Sequence, residues 1–183
     1  MNGEIIKNNS MNVLADFKNI TTFVFDIDGV LTNSTVLVLP DGVLARTMNI
    51  KDGYALQLAV KKGYHIVIVS GGNSKEVILR FKKLGIQNVF LEVDNKAKVL
   101  SEFLTKNNIS SSKVLFMGDD IPDYDVMKMV GLACCPNDAV AEIKSISKYI
   151  SHINGGDGCV RDVIEKVMKL NDHWHTDTSV KSQ

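Results

Sequence analysis

Apolar residues fall along this chain in two rhythms. Short β-rich runs predict buried strands: Phe23 to Phe25 ending on Asp26, His65 to Val69, Asn88 to Val93, Val114 to Met117 and Leu132 to Cys134. Between them, apolar positions at helical spacing predict helices. These run from about Asp52 to Lys62, Ser74 to Leu84, Asn95 to Lys106, Asp123 to Met129, Asp138 to Lys144 and Cys159 to Leu170. Asp52 is the expected N-cap of the first, and Gly63 and Gly85 are the stops of the first two. A short strand is expected near Tyr149. Strands that alternate with helices build a mainly parallel sheet covered on both faces, so the fold class is α/β and doubly wound.

The margins of the pattern differ. Residues 1–17 read as a polar tail leading into a short helix, with apolar residues at 11, 13, 14 and 17. Residues 35–48 place two β-rich runs around Pro40-Asp41-Gly42, a hairpin. Val36, Leu37, Val38, Leu39, Val43 and Leu44 make this ribbon so apolar that it is expected to pack on another subunit. One domain is expected over residues 18–170, and the polar residues 171–183 should form a frayed, flexible tail.

Composition narrows the partners. At 183 residues the chain suits a single domain with a sizeable core. Lys plus Arg and Asp plus Glu both number 21, and without a basic excess nothing points to nucleic acid. Any phosphate handled here should belong to a small molecule. The three cysteines, two of them adjacent (Cys134, Cys135), make a poor disulfide set and suit a reducing cytosol. No apolar run approaches the roughly 18 residues of a membrane span, and the first ten residues do not look like a signal peptide. A cytoplasmic protein without a membrane partner is expected.

The chemistry gathers where strands end. Asp26 and Asp28 lie at the carboxyl end of the first strand, where open α/β sheets build their sites. An ionised Asp26 can attack an electrophile without an activating base, and Asp28 is close enough to trade a proton with an attacking or leaving oxygen. Two acids this close call for a hard cation such as Mg²⁺, although a solvated turn after a strand shows the same spacing. Ser70-Gly71 and Asp119-Asp120-x-x-Asp123 end two further strands. Ser70 can donate its hydroxyl to a phosphoryl oxygen, and Gly71 leaves its backbone N–H open to the same group. Asp119 offers the metal a second carboxylate. Asp120 either holds the metal through water or caps the next helix, and Asp123 either fixes a lysine or is a surface acid. Lys96 opens a helix against the helix dipole, which favours a specific role, that of neutralising a phosphoryl group and Asp26. A solvated lysine beside Lys98 is the plainer alternative. His65 reads as structural. Arg161 reads as a solvated helix residue that can also reach a substrate carboxylate from just after a glycine-rich turn.

Phe25-Asp-Ile-Asp-Gly-Val-Leu-Thr32, Val69-Ser-Gly71, Lys96 and Gly118-Asp-Asp-x-x-Asp123 resemble, in order, the motifs of the haloacid dehalogenase superfamily. An early hairpin in place of a cap domain, Lys51-Asp52-Gly53 and Gly155-Gly156-Asp157-Gly158 resemble its capless subgroup of 3-deoxy-D-manno-octulosonate 8-phosphate (KDO 8-phosphate) phosphatases. The resemblance implies that Asp26 is phosphorylated by the substrate, and that Asp28 protonates the leaving alkoxide and then activates water. It also implies Mg²⁺ on Asp26, Asp119 and the Asp28 carbonyl, with Ser70 and Lys96 on the phosphoryl oxygens. A homotetramer joined through hairpins follows from it too, as does a glycine-rich loop at 155–158 reaching the site entrance. The substrate it implies is a phosphorylated keto-sugar acid, KDO 8-phosphate first, on the way to lipopolysaccharide. The chain departs from the subgroup where Lys51 and Gly72 stand in place of arginines and where Asn33-Ser34 replaces Asp-Gly. Arginine grips a carboxylate with two prongs and lysine does not, so these positions bear on the substrate. A nine-carbon sialic-acid-type 9-phosphate is the second candidate. A non-catalytic oligomerisation module related to sugar nucleotidyltransferase partners, and a phosphate-accepting receiver domain, are the readings from other classes.

Overall fold

The structure is a computed structural model that describes residues 13–40, 42–73 and 75–180. Six strands form one parallel sheet: β1 (Thr22–Phe25), β4 (His65–Val69), β5 (Asn88–Phe90), β6 (Val114–Met117), β7 (Leu132–Cys135) and β8 (Tyr149–Ile150). Their spatial order is β5-β4-β1-β6-β7-β8. β1 is flanked on both sides, with Phe25 opposite Ile68 of β4 and Met117 of β6. The chain winds outward from β1 through β4 to β5, then returns to lay β6 on the other side. The crevice beside β1 is therefore the switch point at which such sheets hold ligands.

Alternation along β1 divides the core. Phe23 and Phe25 face one layer, and Val24 faces the other. The first layer packs under the helical residues 13–18 (α1) and under α2 (Ile50–Lys61), α3 (Lys75–Lys83) and α7 (Cys159–Leu170). The second packs under α4 (Lys96–Lys106), α5 (Tyr124–Lys128) and α6 (Ala141–Ile146). A sheet apolar on both faces must be covered on both, which is the physical content of the doubly wound expectation.

Three expectations need correction. Helix α2 starts at Ile50, two residues before the expected cap, because the Asn49 side chain accepts the Lys51 N–H at 2.8 Å. Asp52 lies inside the first turn, buried, and accepts the Arg161 N–H at the start of α7 (2.7 Å). The expected frayed tail does not hold for residues 171–180. Trp174 and Val180 pack on the first core layer, His173 bonds the Tyr64 hydroxyl, and Asp177 pairs with Lys61 (2.7 Å). The hairpin is reduced to β2 (Leu37–Val38) and β3 (Leu44–Ala45), with Leu37 and Val38 about two-thirds exposed. The expected apolar position at Met11 and the turn residue Asp41 lie outside the described residues.

Candidate active site

Asp26 continues β1 by donating its N–H to the Met117 carbonyl of β6 (3.1 Å). Its Oδ1 accepts the next N–H, that of Ile27 (2.7 Å), and its Oδ2 lies 2.9 Å from Lys96 Nζ. The chain then leaves the sheet in a wide turn over residues 27–31, closed by the Thr32 N–H on the Ile27 carbonyl (3.0 Å). Gly29 makes this turn possible at φ +88°, and it also has no side chain to block Asp119. A Cβ on Gly29 would stand 1.9 Å from Asp119 Oδ2.

Lys96 is buried at the first position of α4, where the helix dipole disfavours a cation. Two carboxylates compensate: Asp26 at 2.9 Å and Asp123 at 2.7 Å. Asp123 is buried in turn, and its other oxygen accepts the Asp119 N–H (3.1 Å). Of the two readings of Asp123, the lysine holder is the one the structure shows. Asp120 caps the tight turn Ile121–Asp123 by accepting the Ile121 N–H (2.8 Å), which is the capping alternative.

Carboxylate oxygens of Asp26, Asp119 and Asp123 lie within 4.8 Å of one another. Burial pushes the Asp26 carboxyl up to about 7; Asp123 pushes the same way, and Lys96 pulls against them. Burial, then Asp26 and Asp123, push Asp119 up to about 8. Burial alone would lower Lys96, but Asp26 and Asp123 outweigh it and hold the ammonium above its ordinary value. The surplus negative charge has a structural counterpart, since Asp119 Oδ1 is buried without a hydrogen-bond partner. Hard oxygen donors, excess charge and one unpartnered carboxylate oxygen fit a small divalent cation such as Mg²⁺. Asp119 offers the unpartnered oxygen, and Asp26, whose two oxygens each accept one contact, keeps lone pairs that a cation beside Asp119 could share.

The cavity over this cluster has a volume of about 440 Å³. Asp26, Asp28, Ser70, Gly71, Gly72, Lys96, Asp119, Asp120 and Asp123 all border it, so the strand ends read from sequence do meet. Ser70 is buried, and its Oγ accepts the Gly72 N–H (3.1 Å), which leaves the hydroxyl proton to donate outward. Lys51 and Arg161 do not border the cavity. Lys51 is exposed on α2. The Arg161 guanidinium pairs with Glu165 and lies over the rings of Tyr54 and Trp174 (5.8 and 5.3 Å to their centroids). The glycine-rich turn does not border this cavity; it packs against the nucleophile loop. The Gly156 N–H bonds the Val30 carbonyl (2.9 Å), and a Cβ on Gly155 would stand 1.9 Å from the Gly29 carbonyl oxygen.

Sequence reasoning missed Arg46, just past β3. Its Nε and Nη2 grip the two oxygens of Asp28 at 2.5 and 3.0 Å. The one available signal was a cation in an otherwise apolar ribbon. Thr32, whose Oγ1 bonds the Ile27 carbonyl (3.1 Å), was also given no role.

Comparison with known proteins identifies the family and the fold. Residues 89–163 match the haloacid dehalogenase-like hydrolase family. The KDO 8-phosphate phosphatase of Salmonella typhi is 31% identical over 159 residues, 87% of this chain and 85% of that protein. Among solved structures, that of the Moraxella catarrhalis KDO 8-phosphate phosphatase with magnesium, phosphate and KDO superposes with a TM-score of 0.85. It is 28% identical and the match covers 88% of this chain and 93% of that one. The Yersinia pestis enzyme of the same name gives a TM-score of 0.86 at 26% identity, covering 88% of both chains.

Proposed function

We infer the reaction from one premise: the chain belongs to the haloacid dehalogenase-like hydrolases, in the family of the KDO 8-phosphate phosphatases. It is a phosphoric monoester hydrolase that works with Mg²⁺. Its proposed substrate is a phosphorylated keto-sugar acid, KDO 8-phosphate first, hydrolysed through an aspartyl phosphate on Asp26. The observation that carries this reading is the buried Asp26 carboxylate, paired with Lys96 and set beside the unpartnered oxygen of Asp119.

When bound on Asp26, Asp119 and the Asp28 carbonyl, Mg²⁺ supplies positive charge against the carboxylates and the phosphoryl oxygens. The chain's own groups do the rest. Asp26, fixed by the Ile27 N–H, presents its carboxylate at the end of a rigid strand and attacks phosphorus. Ser70 donates its hydroxyl to a phosphoryl oxygen, the Gly71 backbone allows close approach, and Lys96 neutralises charge on the opposite flank. Asp28 hands a proton to the leaving sugar oxygen. It then takes one from the water that cleaves the acyl phosphate and regenerates Asp26. Asp123 and Asp120 keep Lys96 and the Asp119 loop in place.

The exposed apolar ribbon supports assembly into a homotetramer through hairpins, and the three buried free cysteines suit a cytoplasmic setting. Glycine at 72 and lysine at 51 keep a nine-carbon 9-phosphate as the second substrate reading. Phosphate release with Mg²⁺ from KDO 8-phosphate, a nine-carbon keto-acid 9-phosphate and hexose phosphates tests the proposal, with Asp26→Asn as control. The highest kcat/KM on KDO 8-phosphate is expected. Preference for the nine-carbon ester would move the substrate, and no turnover of any ester would leave an oligomerisation module.

A further inference from the structure

The contact between Arg46 and Asp28 is unusual in what surrounds it. The Arg46 side chain is 8% exposed, while its partner is the more accessible carboxylate of the central pair, Asp28, at 41%. Nη1 bonds the Leu44 carbonyl (2.9 Å), which anchors the arginine to the hairpin. The fork beyond it lies along the backbone of residue 72. A Cβ on Gly72 would stand 3.2 Å from Asp28 Oδ2, 3.5 Å from Ser70 Oγ and 3.7 Å from Arg46 Nη2. A longer side chain at 72 would compete for the space that the Arg46 fork now uses. The absent side chain at 72 and the arginine at 46 are thus two halves of one arrangement.

The Asp28–Arg46 pair also stands at a partition. Asp28 borders the 440 Å³ site cavity, while Arg46 borders a second cavity of about 380 Å³ under the hairpin, together with Leu44, Met48 and Glu76. Arg46 does not itself border the site cavity, but Asp28 and Gly72 do, and both adjoin its fork. An anion at the far end of a phosphate ester held over Asp26 would therefore reach the guanidinium past residue 72. The two-pronged geometry that Arg46 now offers to Asp28 is the geometry a planar carboxylate takes.

We propose that Arg46 is the specificity-determining residue for the acidic part of the substrate. It rests on Asp28 in this structure, and on substrate binding it transfers its two-pronged grip to the carboxylate of the incoming sugar acid, with Gly72 as the opening that admits it. The proposal rests on the phosphatase reading above. It assigns to the hairpin the contact that Lys51 and Gly72 leave unmade.

The test compares two esters, KDO 8-phosphate and a carboxylate-free one, glucose 6-phosphate, in wild type, Arg46→Ala, Arg46→Lys and Arg46→Ala/Gly72→Arg. The readout is the ratio of their kcat/KM values. Arg46→Ala should lower that ratio about 10- to 100-fold, mostly through KM on the acidic ester, as losing a charge-assisted two-pronged contact does. Arg46→Lys, which keeps the charge and loses the fork, should fall between. The double variant, with an arginine supplied from position 72, should recover part of the ratio. Equal losses on both esters, with the ratio unchanged, would overturn the proposal and leave Arg46 as a support for Asp28 alone. If Arg46→Ala does not fold, as read by circular dichroism, an unchanged ratio in Arg46→Lys overturns it equally. Failure of wild type on every ester would instead overturn the phosphatase reading itself.

Discussion

At the scale of single residues, the site is built by burying acids beside fewer cations than they need, one lysine against Asp26 and Asp123. Asp26 and Asp119 have carboxyl groups raised from 3.8 to about 7 and about 8, burial being the first cause of each. A carboxyl raised on folding binds more protons in the folded chain than in the unfolded one between those values. Their contribution to stability is therefore fully present below pH 3.8 and is lost as the pH climbs through 7 and 8, so the metal-free protein should lose stability from pH 4 to pH 8. Mg²⁺ at pH 8 should restore it, because the cation relieves the repulsion that raised the groups. Thermal melts at pH 4 to 8 with chelator, then with Mg²⁺, check both halves. A metal-free melting temperature that rose over this range would contradict the assignment. Asp26, Asp28, Ser70, Lys96 and Asp119 were legible as candidates because strand-end position and residue type are local properties. Arg46 was not legible, because its partner lies 18 residues away across a turn whose path no local pattern specifies.

At the scale of elements, two seams tie the nucleophile loop to the rest of the fold. One is backbone against backbone at Gly155 and Gly29. Gly155→Ala would drive a methyl into the Gly29 carbonyl and should destabilise the protein by about 3 kcal/mol or more, displacing the loop that carries Asp28. Denaturant melts and phosphate release should fall together. The other seam is Asp52, which leaves its own helix α2 to accept the Arg161 N–H of α7 while its second oxygen is buried without a partner. Burial raises it from 3.8 to about 6, so its contribution to stability should drop by about 2 kcal/mol as the pH rises from 4 to 6. Asp52→Asn keeps the acceptor and removes the charge, and should take away Asp52's share of the slope, making it shallower than in wild type in urea titrations at the two pH values. The start of α2 was misread for the same reason. Asn49 and Asp52 are equally good caps by type, and only the position of α7 decides that Asp52 is needed elsewhere. The strands His65–Val69 and Val114–Met117 were read to the residue, since a buried strand announces itself by a continuous apolar run, here Ile66–Val69 and Val114–Met117.

At the scale of the whole molecule, two surfaces depart from an ordinary solvated exterior. The hairpin exposes Val36, Leu37, Val38, Val43 and Leu44 together. If it joins copies of the chain, Leu37→Lys/Val38→Lys should convert a tetramer into smaller species by light scattering while circular dichroism stays unchanged. The other surface is the docked segment at 171–180, which its polar composition hid. Its anchors are a few scattered contacts to α2 and α7, too sparse to form a sequence period. One of them has a practical consequence. Trp174 is the chain's single indole, half-buried, with Tyr54 edge-on and the Arg161 guanidinium over its face. Its emission is therefore a built-in optical gauge of this segment alone. A red shift that precedes the loss of helical ellipticity on heating would report the segment peeling away from a core that is still folded.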